Sequence, residues 1–318
     1  MIRGIYQRLT FLTLTALSLI ACDGGDQIGS SDHQIRALAF DGVRYVAATP
    51  GGVVLTSTDA IHWQAIDVPG TLDTRVMATF QGEFVGISYV IGVAPELAID
   101  SGNVILSSTD GLNWRTAPLH LPGMVTGLAT DNQQLVAVSD NGVMLSSNDA
   151  TNWQKTDLRS DSFDGISYLA NTFIAWNGTT IYRSSNGSQW QATALPDAMQ
   201  HIQTAASDGN TLIMAGLDGQ LWRLDNDDQW QQLPAPSQAH FHAIAWGRDR
   251  FIAVGYENNR ALIWESTDGT YWNPIPLPTK TPPLYSIIWD STGFVIGGAG
   301  STILRYDGAT ITTFISDS

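Results

Sequence analysis

Short runs of β-branched, aromatic and small apolar residues alternate with Gly, Asp, Asn and Pro punctuation along nearly the whole chain, the pattern of strands joined by tight turns. The first unit reads Ile35–Phe40, a turn at Asp41-Gly42, Tyr45–Ala48, a turn over Thr49-Pro50-Gly51-Gly52, Val53–Thr56, a turn at Asp59-Ala60, and Trp63–Ile66. Four strands are predicted from it. The second-strand signal returns as Phe84–Ile87, Leu135–Val138, Phe173–Trp176, Leu212–Ala215, Phe251–Val254 and Phe294–Gly297. No convincing helical period accompanies these runs.

The turn between the third and fourth strands carries a fixed frame. It reads Ser57-Thr58-Asp59-Ala60-Ile61-His62-Trp63, then Ser108 to Trp114 with Asp110, Ser147 to Trp153 with Asp149, and Ser184 to Trp190 with Asn186. It continues as a degenerate Leu224 to Trp230 with Asn226, Ser266 to Trp272 with Asp268, and Arg305 to Ile311 with Asp307. The steps between copies are 51, 39, 37, 40, 42 and 39 residues. A period near 40 belongs to repeat arrays, and seven copies of a four-stranded unit predict an all-β, seven-bladed β-propeller.

The Ser-x-Asp-Gly-x-x-Trp element resembles the Asp box of sialidase-like and photosystem II assembly factor-like propellers, one residue shorter than the usual form. The resemblance covers residues 35 to 315. It implies that Asp59, Asp110, Asp149, Asp268 and Asp307 hold their own turns through backbone N–H groups, and Asn186 and Asn226 can make the same bonds. Trp63, Trp114, Trp153, Trp190, Trp230 and Trp272 are expected to close each blade, largely buried, with Ile311 filling the same slot.

The N-terminus changes the picture of where the protein works. Arg3 and Arg8 precede an apolar stretch from Leu9 to Ala21, which is short for a membrane span and suits a secretory signal. Leu19-Ile20-Ala21-Cys22 resembles a bacterial lipobox. That resemblance implies cleavage after residue 21 and acylation of Cys22, the only cysteine. Three segments are expected: signal peptide 1–21, lipidated tether 22–34, and propeller 35–318. Asp23 follows the lipidated residue as in inner-membrane enterobacterial lipoproteins, so the expected location is the periplasmic side of a bacterial membrane, the inner membrane favoured.

Removing the first 21 of 318 residues moves the formal net charge from −15 to −17 and leaves no cysteine for disulfides. Such acidity argues against nucleic acid or anionic lipid as a partner for a basic face. A monomeric disc with a protein partner in the cell envelope, and no cofactor, is expected.

Candidate chemistry belongs where loops converge over the channel, on the face opposite the Asp turns. Aligned first strands place Arg36, Val76, Thr126, Gly165, Gln203, His242 and Tyr285 at one height there, and Glu96 and Glu257 fall on the same side. Residues 90–102 insert about ten residues into blade two, more apolar than a solvated loop, as a lid or partner-binding loop. His120, His201 and His240 lack metal-ligand spacing, and the Asp225–Asp228 run lacks the glycine and distal glutamate of a calcium loop. No metal and no catalytic residue are expected. A sialidase-like hydrolase would need an arginine triad and a tyrosine–glutamate pair, which the sequence does not show; a carbohydrate-binding propeller is the other alternative.

Overall fold

The computed structural model describes residues 34–68, 72–90, 102–156, 158, 160–225, 228–236 and 238–315. Cys22, Asp23, Glu96, Asn226 and nearly all of the blade-two insertion lie outside the described residues. Among them, twenty-eight strands form seven four-stranded antiparallel sheets, each built from four consecutive strands. The seven-bladed propeller read from the repeat is the observed fold. The second strands match their predicted positions to within a few residues, from Tyr45–Ala48 in blade one to Phe294–Gly298 in blade seven.

Burial grades outward along each blade. The second strands are flanked on both faces by neighbouring blades, so Leu135–Ser139, Leu212–Gly216 and Phe294–Gly298 are buried at every position. The fourth strands form the rim. They are exposed and short, as in Gln154–Lys155, Gln191–Ala194 and Asn273–Pro274. Short edges carrying charge or proline resist edge-to-edge pairing. The first strands ring the channel, each packing on the next and the last on the first.

The Asp turns dock blade to blade. Asp110 Oδ1 accepts the N–H groups of Leu112 and Asn113 at 2.9 and 2.8 Å and the Ser108 hydroxyl at 3.1 Å. Asp59, Asp149, Asp268 and Asp307 repeat the backbone pair, and Asn186 reproduces it with its amide oxygen. Backbone and side-chain hydrogen bonds from Asn113 hold the Asp110 carboxyl well below the usual carboxylate range. The next residue is left-handed in each of these turns, even at Ala60 and Ala150. At Gly111 a Cβ would stand 2.7 Å from the Arg44 side chain of the preceding blade.

All six tryptophans are partly buried, as is Ile311. Each lies over a seam instead of inside a blade. Trp63 packs on the cluster between blades seven and one, Trp114 on that between one and two, and so on to Trp272 between five and six and Ile311 between six and seven.

Closure falls on blades one and seven, which share no strand among the described residues. The Ile35 N–H donates to the Gly298 carbonyl at 3.0 Å, and the Ser286 hydroxyl to the Ile35 carbonyl at 2.8 Å. At the other end of the same strands the Asp290 side chain, fully buried, accepts from Tyr45 Oη at 2.6 Å and Arg305 Nη1 at 2.7 Å. It also caps its own turn through the N–H groups of Thr292 and Gly293. Burial alone would raise the Asp290 carboxyl, but the hydrogen bonds from Tyr45, Arg305 and Thr292 outweigh it and hold it at about 2. Burial, then the bond to Asp290, pushes the Tyr45 hydroxyl up to about 12.

Removing one partner of a buried ion pair costs about 3–5 kcal/mol, so Asp290→Ala should lower unfolding free energy by that order, and Tyr45→Phe by about 1–3 kcal/mol. Because the folded carboxyl titrates below the unfolded one, its contribution is complete above the ordinary aspartate range and is lost as pH falls through about 2. Urea unfolding of wild type and Asp290→Asn should therefore differ most near neutrality and converge in acid.

Candidate functional site

A cavity of about 250 Å³ opens at the end of the channel opposite the Asp turns. Its wall is the beginning of the seven first strands, and in five of them the ladder slips by one residue. The unpaired residues are Arg75, Thr126, Gln203, His242 and Tyr285. A β-bulge leaves one residue out of the ladder and re-aims its side chain. Here all five bulged residues line the cavity.

This corrects one position of the predicted ring and sharpens the rest. Thr126, Gln203, His242 and Tyr285 are bulge residues. Arg75, not Val76, occupies that place in blade two; Val76 also lines the cavity, but pairs with Ile87 and packs on the core between blades two and three. Arg36 lies just before the first strand of blade one and lines the cavity as well. Gly165 pairs with Trp176, whose ring lies where a Cβ would go, and the Trp176 indole N–H donates to the Ile202 carbonyl at 3.2 Å. Glu257 ends the second strand of blade six opposite Arg260 and does not line the cavity.

His240 and His242 lie within the first strand of blade six, Ala239–Gly247, rather than in the connection before it. His201 and His240 meet on one carboxylate: Asp218 approaches His201 Nδ1 at 3.1 Å and His240 Nδ1 at 3.8 Å. His120 does not join them. Among the described residues no group of three or more His, Cys, Asp or Glu is arranged to hold a metal ion.

The two halves of the mouth differ in how far their polar groups are satisfied. In blades two to four, Arg75 Nε is held by Asp73 at 2.8 Å, the Thr126 hydroxyl donates to the Phe163 carbonyl at 2.8 Å, and Gly165 has no side chain. In blades five, six, seven and one, the Gln203 amide, the Tyr285 hydroxyl and the terminal guanidinium nitrogens of Arg36 make no hydrogen bond among the described residues. Arg36 is tied only through Nε, to Gln34 Oε1 at 2.8 Å. His242 Nε2 is buried with no partner. Its ring stacks on Tyr256 at 5.4 Å and meets the edge of Tyr285 at 5.1 Å. Burial, then the neighbouring His240 and Arg36, pushes the His242 imidazole down to about 4. Burial raises the Tyr285 hydroxyl.

The sequence held a signal for the bulges. Gly216 and Gly298 end second strands and Gly255 lies two residues before the end of one, and a Cβ at each would strike the carbonyls of His201, His240 and Pro283. A glycine inside a strand pattern marks a bulge or a close backbone approach. The same face is raised by blade six, whose second and third strands run Arg250–Glu257 and Arg260–Ser266 around a tip at Asn258 and Asn259, both left-handed. Two consecutive positive-φ residues suit the tightest hairpin turn.

No protein-family model matches this chain, and no curated protein does. Solved structures do. YCF48 from Cyanidioschyzon merolae is 17% identical, with a TM-score of 0.67 over 86% of this chain and 95% of its own. A structure of YCF48 bound to D1 peptide is 16% identical, with a TM-score of 0.69 over 86% and 93%. A catalytically inactive virginiamycin B lyase from Staphylococcus aureus with quinupristin is 13% identical, with a TM-score of 0.68 over 86% and 94%. At these identities the likeness is one of fold.

His242 should remain a neutral imidazole through the physiological range. Its NMR titration should have a midpoint of about 4; a midpoint in the ordinary histidine range would contradict the burial described.

Proposed function

We propose that this protein is a membrane-anchored, non-catalytic binding disc of the bacterial cell envelope that engages a protein partner through its channel-mouth face. The observation that carries this reading is the row of five bulges. Bulges break ladder hydrogen bonds, so strand pairing alone gives no reason to repeat them at one height; aiming side chains into a shared mouth does. The fold likeness to YCF48, solved bound to D1 peptide, supports a peptide or protein as partner. The bond pattern of the Ser-x-Asp turns supports kinship with Asp-box propellers.

Anchoring belongs to the same proposal: signal peptide 1–21, acylation at Cys22, and a periplasmic location at the inner membrane through Asp23. Two or more acyl chains give stable attachment where one is marginal. Gln34 is already buried and bonded to Arg36, so the tether of this scheme ends where the propeller begins.

A glycoside hydrolase needs two carboxyls about 5–10 Å apart across a cleft. Among the described residues, no carboxylate lines the mouth. A lyase reading has only the fold likeness behind it.

Cys22→Ser should move the protein from the membrane to the soluble fraction, or leave it uncleaved, with loss of acyl label; unchanged fractionation with label retained would refute the anchor. Pull-down from detergent-solubilised membranes with the anchored protein should recover one membrane complex. Retention on glycans alone, or turnover of chromogenic glycosides, would replace the scaffold with a lectin or an enzyme.

A further inference from the structure

We infer that the channel mouth is a site for a small organic monocarboxylate, its carboxyl on Arg36 and its body against the wall of His242 and Tyr285. The inference rests on the reading of this face as the binding face and adds what the face recognises.

The chain is strongly acidic, yet the cavity is lined by Arg36, Arg75 and His242 with no carboxylate among the described residues. Asp73, Asp164 and Asp218 are neighbours of this region but do not line it. Of the two arginines, Arg75 already faces Asp73. Arg36 has no acidic partner among the described residues, and its Nε bond to Gln34 fixes the guanidinium while leaving the terminal nitrogens free. A planar guanidinium so presented matches a carboxylate in a two-bond fork.

The other unsatisfied groups set the size and charge of the ligand. Gln203, His242 and Tyr285 follow one another around the ring on the same side as Arg36, and His242 Nε2 is buried without a hydrogen-bond partner among the described residues. Buried polar atoms are nearly always paired, so that nitrogen points to an absent partner; Gln203 is exposed and Tyr285 half-buried, both within reach of a ligand in the mouth. His242 is neutral at physiological pH, so the site presents one unpaired positive charge. A monoanion matches it; a doubly charged phosphate would not be neutralised, and the protein's net negative field opposes it. A cavity of about 250 Å³ exceeds the ~150 Å³ that admits a benzene ring, so a single flat body fits beside the aromatic wall.

Titration calorimetry of the full-length protein in detergent, with benzoate as probe, tests this. Saturable one-to-one binding is expected, with benzamide and phenylphosphate binding far more weakly. Arg36→Gln should weaken benzoate by more than about tenfold and Tyr285→Phe by about threefold. Arg75→Gln, whose guanidinium is already engaged, should leave affinity within about twofold. If Arg36→Gln melts early, Arg36→Lys keeps the charge without the fork and should give an intermediate loss. No saturation at millimolar benzoate, equal binding of benzamide, or full affinity in the Arg36 variants would overturn the site. Partner capture by Arg36→Gln separates the two readings: capture retained while benzoate is lost leaves the scaffold intact, and benzoate bound with no partner ever captured leaves the acid site without it.

Discussion

Seven blades make a ring only if the seventh packs on the first as well as every other adjacent pair packs, and here no strand is exchanged across that seam among the described residues. Other propellers can latch the ring with a shared sheet. In this one the work falls on apolar packing around Ile35 and on a buried carboxylate, Asp290, that holds its own turn, the Tyr45 hydroxyl of blade one and Arg305 of its own blade. A buried charge with every acceptor site occupied is stable, whereas one missing a partner is costly. The mouth spans this seam, because Tyr285 and Arg36 stand on its two sides.

The same inner strands serve two demands. Their outer ends keep regular pairing and carry the core; their channel-mouth ends give up one rung in five blades of seven. Where the rung is lost, the glycines at 216, 255 and 298 let a carbonyl lie over the partner strand without a clash. The cost is a weaker ladder at the mouth. What it produces is an asymmetric ring: Arg75 is paired with Asp73 and the Thr126 hydroxyl is bonded to a carbonyl, while Arg36 has no acidic partner and His242 Nε2 no hydrogen-bond partner among the described residues.

The blade count was legible because the Ser-x-Asp turn and the second-strand run recur in register, and both are dictated by local chemistry: an acceptor for two turn N–H groups, and apolar residues flanked on both faces. The ring at the mouth was legible in outline, since aligned first strands placed six of its seven residues. The slip from Val76 to Arg75 was not, because a bulge changes which residue faces inward without changing the apolar pattern around it. The position of the tryptophans at seams also escaped the sequence. Within one repeat, nothing distinguishes a side chain that packs on its own blade from one that packs on the blade before it.

That this face meets the partner is the central claim, and site-specific photo-crosslinking in cells tests it most directly. A photoreactive residue at Gln203 or at Asn258 on the blade-six tip should form one discrete adduct, and the same residue at Asn113 or Asn152 in the Asp turns should form none. Adducts confined to Asn113 and Asn152 would place the partner on the opposite side of the disc and contradict the account.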